Sequence, residues 1–176
     1  MLIRATALAG THILEPEPIS DPRGFFARLW SVDALQARGL VSRFNHASVS
    51  FNHRKGTLRG MHYQAAPFAE TKLVRCTRGA IYDVALDLRE GSPTFRHWIA
   101  AELSAENHRL IYIPAGCAHG FQTLVEDSEV EYMIDAEYNP AHGRGVRWND
   151  PVFGITWPDD ERTMNDRDRQ YPDFRA

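Results

Sequence analysis

Apolar and polar positions alternate along most of this chain in short runs, each closed by Gly, Pro, Asn or Asp. ATAL, THILEPEPI, the aromatic run after DPRG, FNHASVSF, TLRGMHYQ, KLVRC, AIYDVALDLR, TFRHWIAAEL, LIYI, CAHGFQTLV and EVEYMIDAEY fit a period of two, the signature of strands that show one face to a core. AIYDVALDLR is apolar on both faces, as a covered strand would be. SVDALQARGL breaks the pattern: Ser31 or Asp33 caps a helix, Val32 and Leu35 mark its face, and Gly39 stops it. FNHASVSF, NHRKG and TLRGMHYQ read as strand, turn, strand, which predicts a hairpin. About ten short strands at intervals of roughly ten residues predict an all-β sandwich or barrel. With no repeat, linker or low-complexity tract in the sequence, residues 1–176 read as a single domain.

Within these runs, a few side chains conflict with burial. From Gly56 to Gly79, Arg59, His62, Gln64, Glu70, Lys72 and Arg75 fall in or beside strands that otherwise read as core. Strict alternation puts Leu58, Gly60, His62 and Gln64 on one face, Arg59, Met61 and Tyr63 on the other, and Lys72 with Val74 and Cys76. Two such strands joined by a short Pro-containing loop can aim an imidazole and an ammonium into one cavity. Inward charges are costly unless paired or functional. His119, in a second Gly-bounded motif, is the next histidine inside a strand, and His46 a third. Tyr132 and Tyr138, six apart, read by default as core aromatics with a tied hydroxyl. Asp168, in the charged run NDRDRQ, reads as solvated, as do Arg23 and Arg28 beside DPRGFF.

Composition narrows the partners. A net charge of −3, with the basic residues scattered, gives no electrostatic case for nucleic acid or an anionic membrane surface. No apolar run approaches the roughly 20 residues that span a bilayer, and the N-terminus is a poor signal peptide. Cys76 and Cys117 each sit in apolar strand contexts and read as two buried thiols, with a cytoplasmic location by default.

The segments 56–79 and IPAGCAHGF resemble the two motifs of the cupin superfamily, a double-stranded β-helix or jelly roll. The slots that hold metal ligands in cupins read His62, Gln64, Glu70 and His119. A Gln amide in place of an imidazole, with Lys72 adding positive charge, makes a poor site for a first-row metal. More specifically, RGFF, GTLRGMHYQ, ETKLVRCTRGAIYDVALDLR, GSPTF, IPAGCAHGFQTL, EYMIDAEYNP, RWNDP and DRD resemble the nucleotide-sugar 3,5-epimerases, typified by dTDP-4-dehydrorhamnose 3,5-epimerase, in order over about residues 20 to 170.

The resemblance implies a jelly-roll homodimer with a few short peripheral helices. It needs no metal or cofactor and acts at C3, C5 or both of a nucleoside-diphosphate-4-keto-6-deoxyhexose linked to dTDP, CDP or GDP. It assigns His62 as general base, Asp168 as the carboxylate that orients it, Tyr132 as general acid and Lys72 as the cation near the C4 oxygen. Arg59, His119, Gln64, Ser50 and Tyr138 would contact substrate, and Arg23, Phe25 and Arg28 would belong to an N-terminal element that reaches the nucleotide, often in the partner subunit. Four positions depart from the family pattern: Arg28 replaces a usual Glu, His46 and Ser48 stand for a Gln and an Asn, and Gly143 replaces a Glu. Three other readings stay open: a 3,4-ketoisomerase on the same fold, a non-catalytic cupin and a metal-binding cupin.

Overall fold

In the computed structural model, which describes residues 1–175, consecutive strands cross back and forth between two facing sheets. One sheet has six strands in the order β1 (Leu2–Ala5), β2 (His12–Glu15), β10 (Leu110–Ile113), β7 (Lys72–Arg78), β12 (Ser128–Ile134), β5 (His46–Asn52). The other has five: β13 (Gly143–Gly145), β6 (Leu58–Gln64), β11 (Cys117–Thr123), β8 (Ala80–Asp87), β9 (Trp98–Ser104). A small hairpin of β3 (Ile19–Asp21) and β4 (Gly24–Phe26) stands apart. The result is an antiparallel jelly roll, the all-β sandwich that the alternation predicts.

Three apolar layers follow from the two-residue period. Between the sheets lie Val74, Cys76, Ile111 and Ile113 from one side, and Ile81, Ala85, Leu103 and Phe121 from the other. The outer face of the five-stranded sheet, with Met61, Val84 and Leu86, is covered by Val146, Phe153, Ile155 and Phe174 of the C-terminal segment. The outer face of the six-stranded sheet buries Leu14, Leu73, Leu110 and Tyr112 beneath Leu35 of helix α1 (Val32–Gln36) and its flanks. Ser31 caps that helix by accepting the Ala34 amide, as the sequence predicts.

The sequence reading fails in four places. FNHASVSF and TLRGMHYQ are not a hairpin: β5 pairs β12 while β6 pairs β11 and β13 in the opposite sheet. The NHRKG turn therefore carries the chain across the sandwich, a distinction that alternation alone does not encode. The first strand is Leu2–Ala5 and not ATAL. The Gly143–Gly145 segment, which belongs to none of the alternating runs, forms a strand and pairs with Gln64–His62. The charged run NDRDRQ, in which Asp168 reads as solvated, folds into a one-turn helix, α2 (Asp166–Arg169), whose N-cap Asn165 accepts the Asp168 amide.

Candidate active site

The site begins with an irregularity in β6. Against β11, His62 pairs with His119 and Arg59 with Phe121, so three residue steps on one strand oppose two on the other. This β-bulge reverses the parity that strict alternation assigns. Arg59 and His62 consequently face the same cavity, while Met61 turns to the outer core. Gly60 sits at φ +137°, and a Cβ there would come within 2.6 Å of the Gly120 backbone, so the bulge requires glycine at this position. Turned out of the ladder, the Gly60 amide donates to Asp168 Oδ2 at 3.1 Å. Asp168 Oδ1 lies 2.7 Å from His62 Nε2.

Asp168 is 1% exposed although its neighbours in sequence are solvated. Burial opposes its ionisation, but the hydrogen bond and charge of His62, the Gly60 amide and Arg167 outweigh it, so the carboxyl lies below its ordinary range. Tyr171, one turn on, packs edge-on to His62 with ring centroids 6.1 Å apart. Its ring occupies the space that a side chain on Gly145 would fill, 2.2 Å from the Cβ position. These contacts, with the Arg147–Asp173 ion pair and the Phe174 amide on Asp150, hold the C-terminal segment against the sheet.

The opposite wall is built by the six-stranded sheet. Lys72, Tyr132 and Ile134 line the cavity from β7 and β12, and His46, Ser48 and Ser50 from the edge strand β5, each in register with its cross-strand partner. The Lys72 ammonium lies 2.9 Å from Glu70 Oε1 and 3.4 Å from the His62 carbonyl oxygen, so it reaches across the sandwich. The Tyr132 hydroxyl is 3.3 Å from Ser50 Oγ. Burial pushes the Tyr132 phenol well above its ordinary range and Asp83 adds to this, against smaller opposing effects of Ser50 and Arg59. It is therefore a protonated donor at neutral pH.

Together these side chains enclose about 370 Å³. His119 enters from β11 with Nε2 2.7 Å from Asp83 Oδ2. Arg59 is fixed by Asn52 Oδ1 at 2.7 Å from its Nε and by the Phe51 carbonyl. Two guanidinium or ammonium groups and three imidazoles face one carboxylate, Glu70, across this lining, a balance suited to an anionic ligand.

Of the residues singled out from sequence, His62, Lys72, Tyr132, Arg59, His119, Ser50 and Tyr138 line this cavity, and Asp168 lies directly behind His62. Gln64 does not line it. Its amide donates to the Phe68 and Glu137 carbonyls and to Glu70 Oε2, and accepts from the Asn139 amide, so it braces Glu70 and the loop after β12. Arg23 and Phe25 lie on the exposed β3–β4 hairpin, with Arg23 paired to Asp21. Arg28 borders a separate shallow recess with Glu17 and Ser31. Glu70, singled out from sequence, also lines the cavity, whereas Ser48, Phe121 and the Asn52 brace were not assigned as site residues from sequence. The polar alternation His46, Ser48, Ser50, Asn52 in a strand was the signal for Ser48 and Asn52.

A base on one sheet, a phenol on the other and an ammonium between them suit removal of an acidic C–H proton and return of a proton from the opposite face. Similarity to known proteins extends over nearly the whole chain. The profile of the dTDP-4-dehydrorhamnose 3,5-epimerase family matches residues 5–176. A Pseudomonas aeruginosa protein of that name is 43% identical over 175 residues, covering 96% of this chain and 94% of its own. The Bacillus anthracis dTDP-4-dehydrorhamnose 3,5-epimerase, solved with TDP and PPi bound, superposes with a TM-score of 0.94 at 41% identity, covering 98% of this chain and 99% of its own. A Legionella pneumophila dTDP-6-deoxy-D-glucose-3,5-epimerase in complex with dTDP-4-keto-L-rhamnose gives 0.89 at 32% identity, over 99% of both chains.

Proposed function

The chain belongs to the dTDP-4-dehydrorhamnose 3,5-epimerase family, and we propose that it inverts C3, C5 or both of a dTDP-4-keto-6-deoxyhexose in deoxysugar biosynthesis. The observation that carries this is the placement of the His62–Asp168 pair and the Tyr132 hydroxyl on opposite sheets, facing one cavity. The C4 carbonyl acidifies the protons on C3 and C5. His62, held in one tautomer by Asp168, removes one of them. Charge moves to the C4 oxygen beside Lys72, and Tyr132 returns a proton from the other side. A 3,4-ketoisomerase has no need of an acid opposite its base, so the two-walled arrangement favours epimerisation. The chemistry calls for no cofactor because the substrate's own carbonyl is the electron sink.

Arg59, His119 and Ser50 are assigned to substrate binding, with Arg59 the best-placed fork for a diphosphate. The exposed hairpin supports a homodimer in which each subunit reaches towards its partner's cavity: Ile19 and Phe26 are 75% exposed and Phe25 is 53% exposed. Two reduced cysteines fit a cytoplasmic enzyme, and no helix among the described residues is long and apolar enough to cross a membrane. The test is proton NMR of dTDP-4-keto-6-deoxyglucose with the protein in D₂O. Deuterium at C3 and C5 of a product inverted at both carbons indicates a 3,5-epimerase, and deuterium with inversion at C3 alone a monoepimerase. Parallel samples with CDP- and GDP-linked sugars test the base. No incorporation from any of them contradicts the proposal.

A further inference from the structure

Two imidazole–carboxylate pairs, not one, enter this cavity from adjacent strands, since His62 and His119 are cross-strand partners. Their carboxylates are equipped differently. Asp168 takes a donor on each oxygen. Asp83 is 0% exposed, takes His119 on Oδ2, and leaves Oδ1 buried without a partner. An ionised carboxylate so placed is costly unless its one partner carries a full positive charge. Among the described residues, His119 is the side chain placed to neutralise Asp83. Nε2 is committed to Asp83, and Nδ1 has no protein partner among the described residues. The ring lines the cavity and stands edge-on to Tyr132, with centroids 5.9 Å apart at 75°.

Taking Tyr132 as the acid, as proposed above, we infer that the His119–Asp83 pair restores its proton after each inversion. Once Tyr132 has protonated carbon, its O–H bond is broken and a phenolate remains. Groups that hydrogen-bond to it, act on it by charge or pack against it are Ser50, Arg59, His119 and the carboxylate Asp83, while the Lys72 ammonium in the same cavity is tied to Glu70. Arg59 does not release a proton at neutral pH, and Ser50 can only relay one. His62 holds the proton taken from substrate, next to Asp168. His119 Nδ1–H therefore supplies the proton, directly or through the Ser50 hydroxyl or a water. An O–H bond forms at Tyr132 as the N–H bond breaks. His119 is left neutral with Nε2–H on Asp83, and later regains its proton from solvent while His62 loses its own. No electrons are exchanged. For a substrate inverted at two carbons, this resets the acid between the two events without release of the sugar.

The test compares the first turnover with the steady state, by rapid quench, in wild type, Asp83→Asn and His119→Ala. Asp83→Asn is expected to give a burst of about one inversion per site followed by turnover roughly 100-fold slower than wild type, with KM within threefold. In His119→Ala, added imidazole is expected to restore the steady-state rate and leave the burst unaltered. A merely structural or substrate-holding role predicts that first and later turnovers fall together, or that KM alone rises, with no rescue by imidazole. Either result overturns the inference. Wild-type protein that exchanges no deuterium overturns the epimerase reading itself, and the pair's role with it.

Discussion

Replacing Asp168 with Asn changes one buried oxygen to an amide nitrogen, and the surroundings decide which one. The Gly60 N–H requires an acceptor at 3.1 Å, so the Asn oxygen takes that place and the NH₂ faces His62 Nε2. Nε2 must then accept, which moves the imidazole proton to the other ring nitrogen and leaves it no lone pair for the substrate. Two losses combine. The charge-assisted hydrogen bond to the imidazolium is worth about 1.5–3 kcal/mol, or roughly 10- to 150-fold in rate. Locking the wrong tautomer in a His–Asp pair costs up to about 10⁴-fold in kcat. Asp168→Asn is therefore expected to lower the initial rate of deuterium wash-in about 10³- to 10⁴-fold with little change in KM. Asp168→Ala frees the tautomer, so its wash-in is expected to be faster than that of Asn. Rates within tenfold of wild type for Asn, or an Ala variant slower than Asn, refute this account of the pair.

Gly60→Ala must place a Cβ against the Gly120 backbone at a positive φ; a loss of about 1–3 kcal/mol in urea unfolding is expected, together with reduced activity, because the same bulge aims His62. Burial pushes the Cys76 thiol up to about 11 and the Cys117 thiol up to about 12. At pH 8 the thiolate fractions are then about 10⁻³ or less, against roughly a quarter for an exposed cysteine, so labelling by a thiol reagent should track global unfolding. Burial opposes ionisation of Asp87, but hydrogen bonds from Arg89, Ser92 and Thr94 outweigh it and hold the carboxyl far below its ordinary range. A depressed carboxyl stabilises the fold fully above its unfolded pKa of about 3.9, and this contribution declines progressively as pH falls from there towards the far lower folded value. Asp87→Asn should therefore narrow the gap between urea midpoints at pH 7 and pH 3.

Much of this was legible in the sequence because a period of two is a local property. Lys72, Val74 and Cys76 do share an inward face, and the helix cap at Ser31 was visible. What failed was non-local or broke the period. One extra residue at Gly60 placed Arg59 beside His62, which alternation had set on opposite faces. Whether β5 and β6 pair with each other or cross the sandwich depends on partners tens of residues away. Asp168 sits in a polar run whose neighbours are solvated, and its burial follows from a cap at Asn165 and from Tyr171 docking on Gly145. Family resemblance had marked this carboxylate where local pattern could not.

The central claim is that proton removal and proton return occur from opposite walls, with Tyr132 responsible only for the return. Tyr132→Phe examined by proton NMR in D₂O with dTDP-4-keto-6-deoxyglucose tests this most directly. The account predicts that His62 still exchanges the acidified proton, so deuterium appears with the original configuration, while inverted product falls by at least about 100-fold. Inverted product formed at near wild-type rate, or loss of exchange and inversion in equal measure, would contradict it.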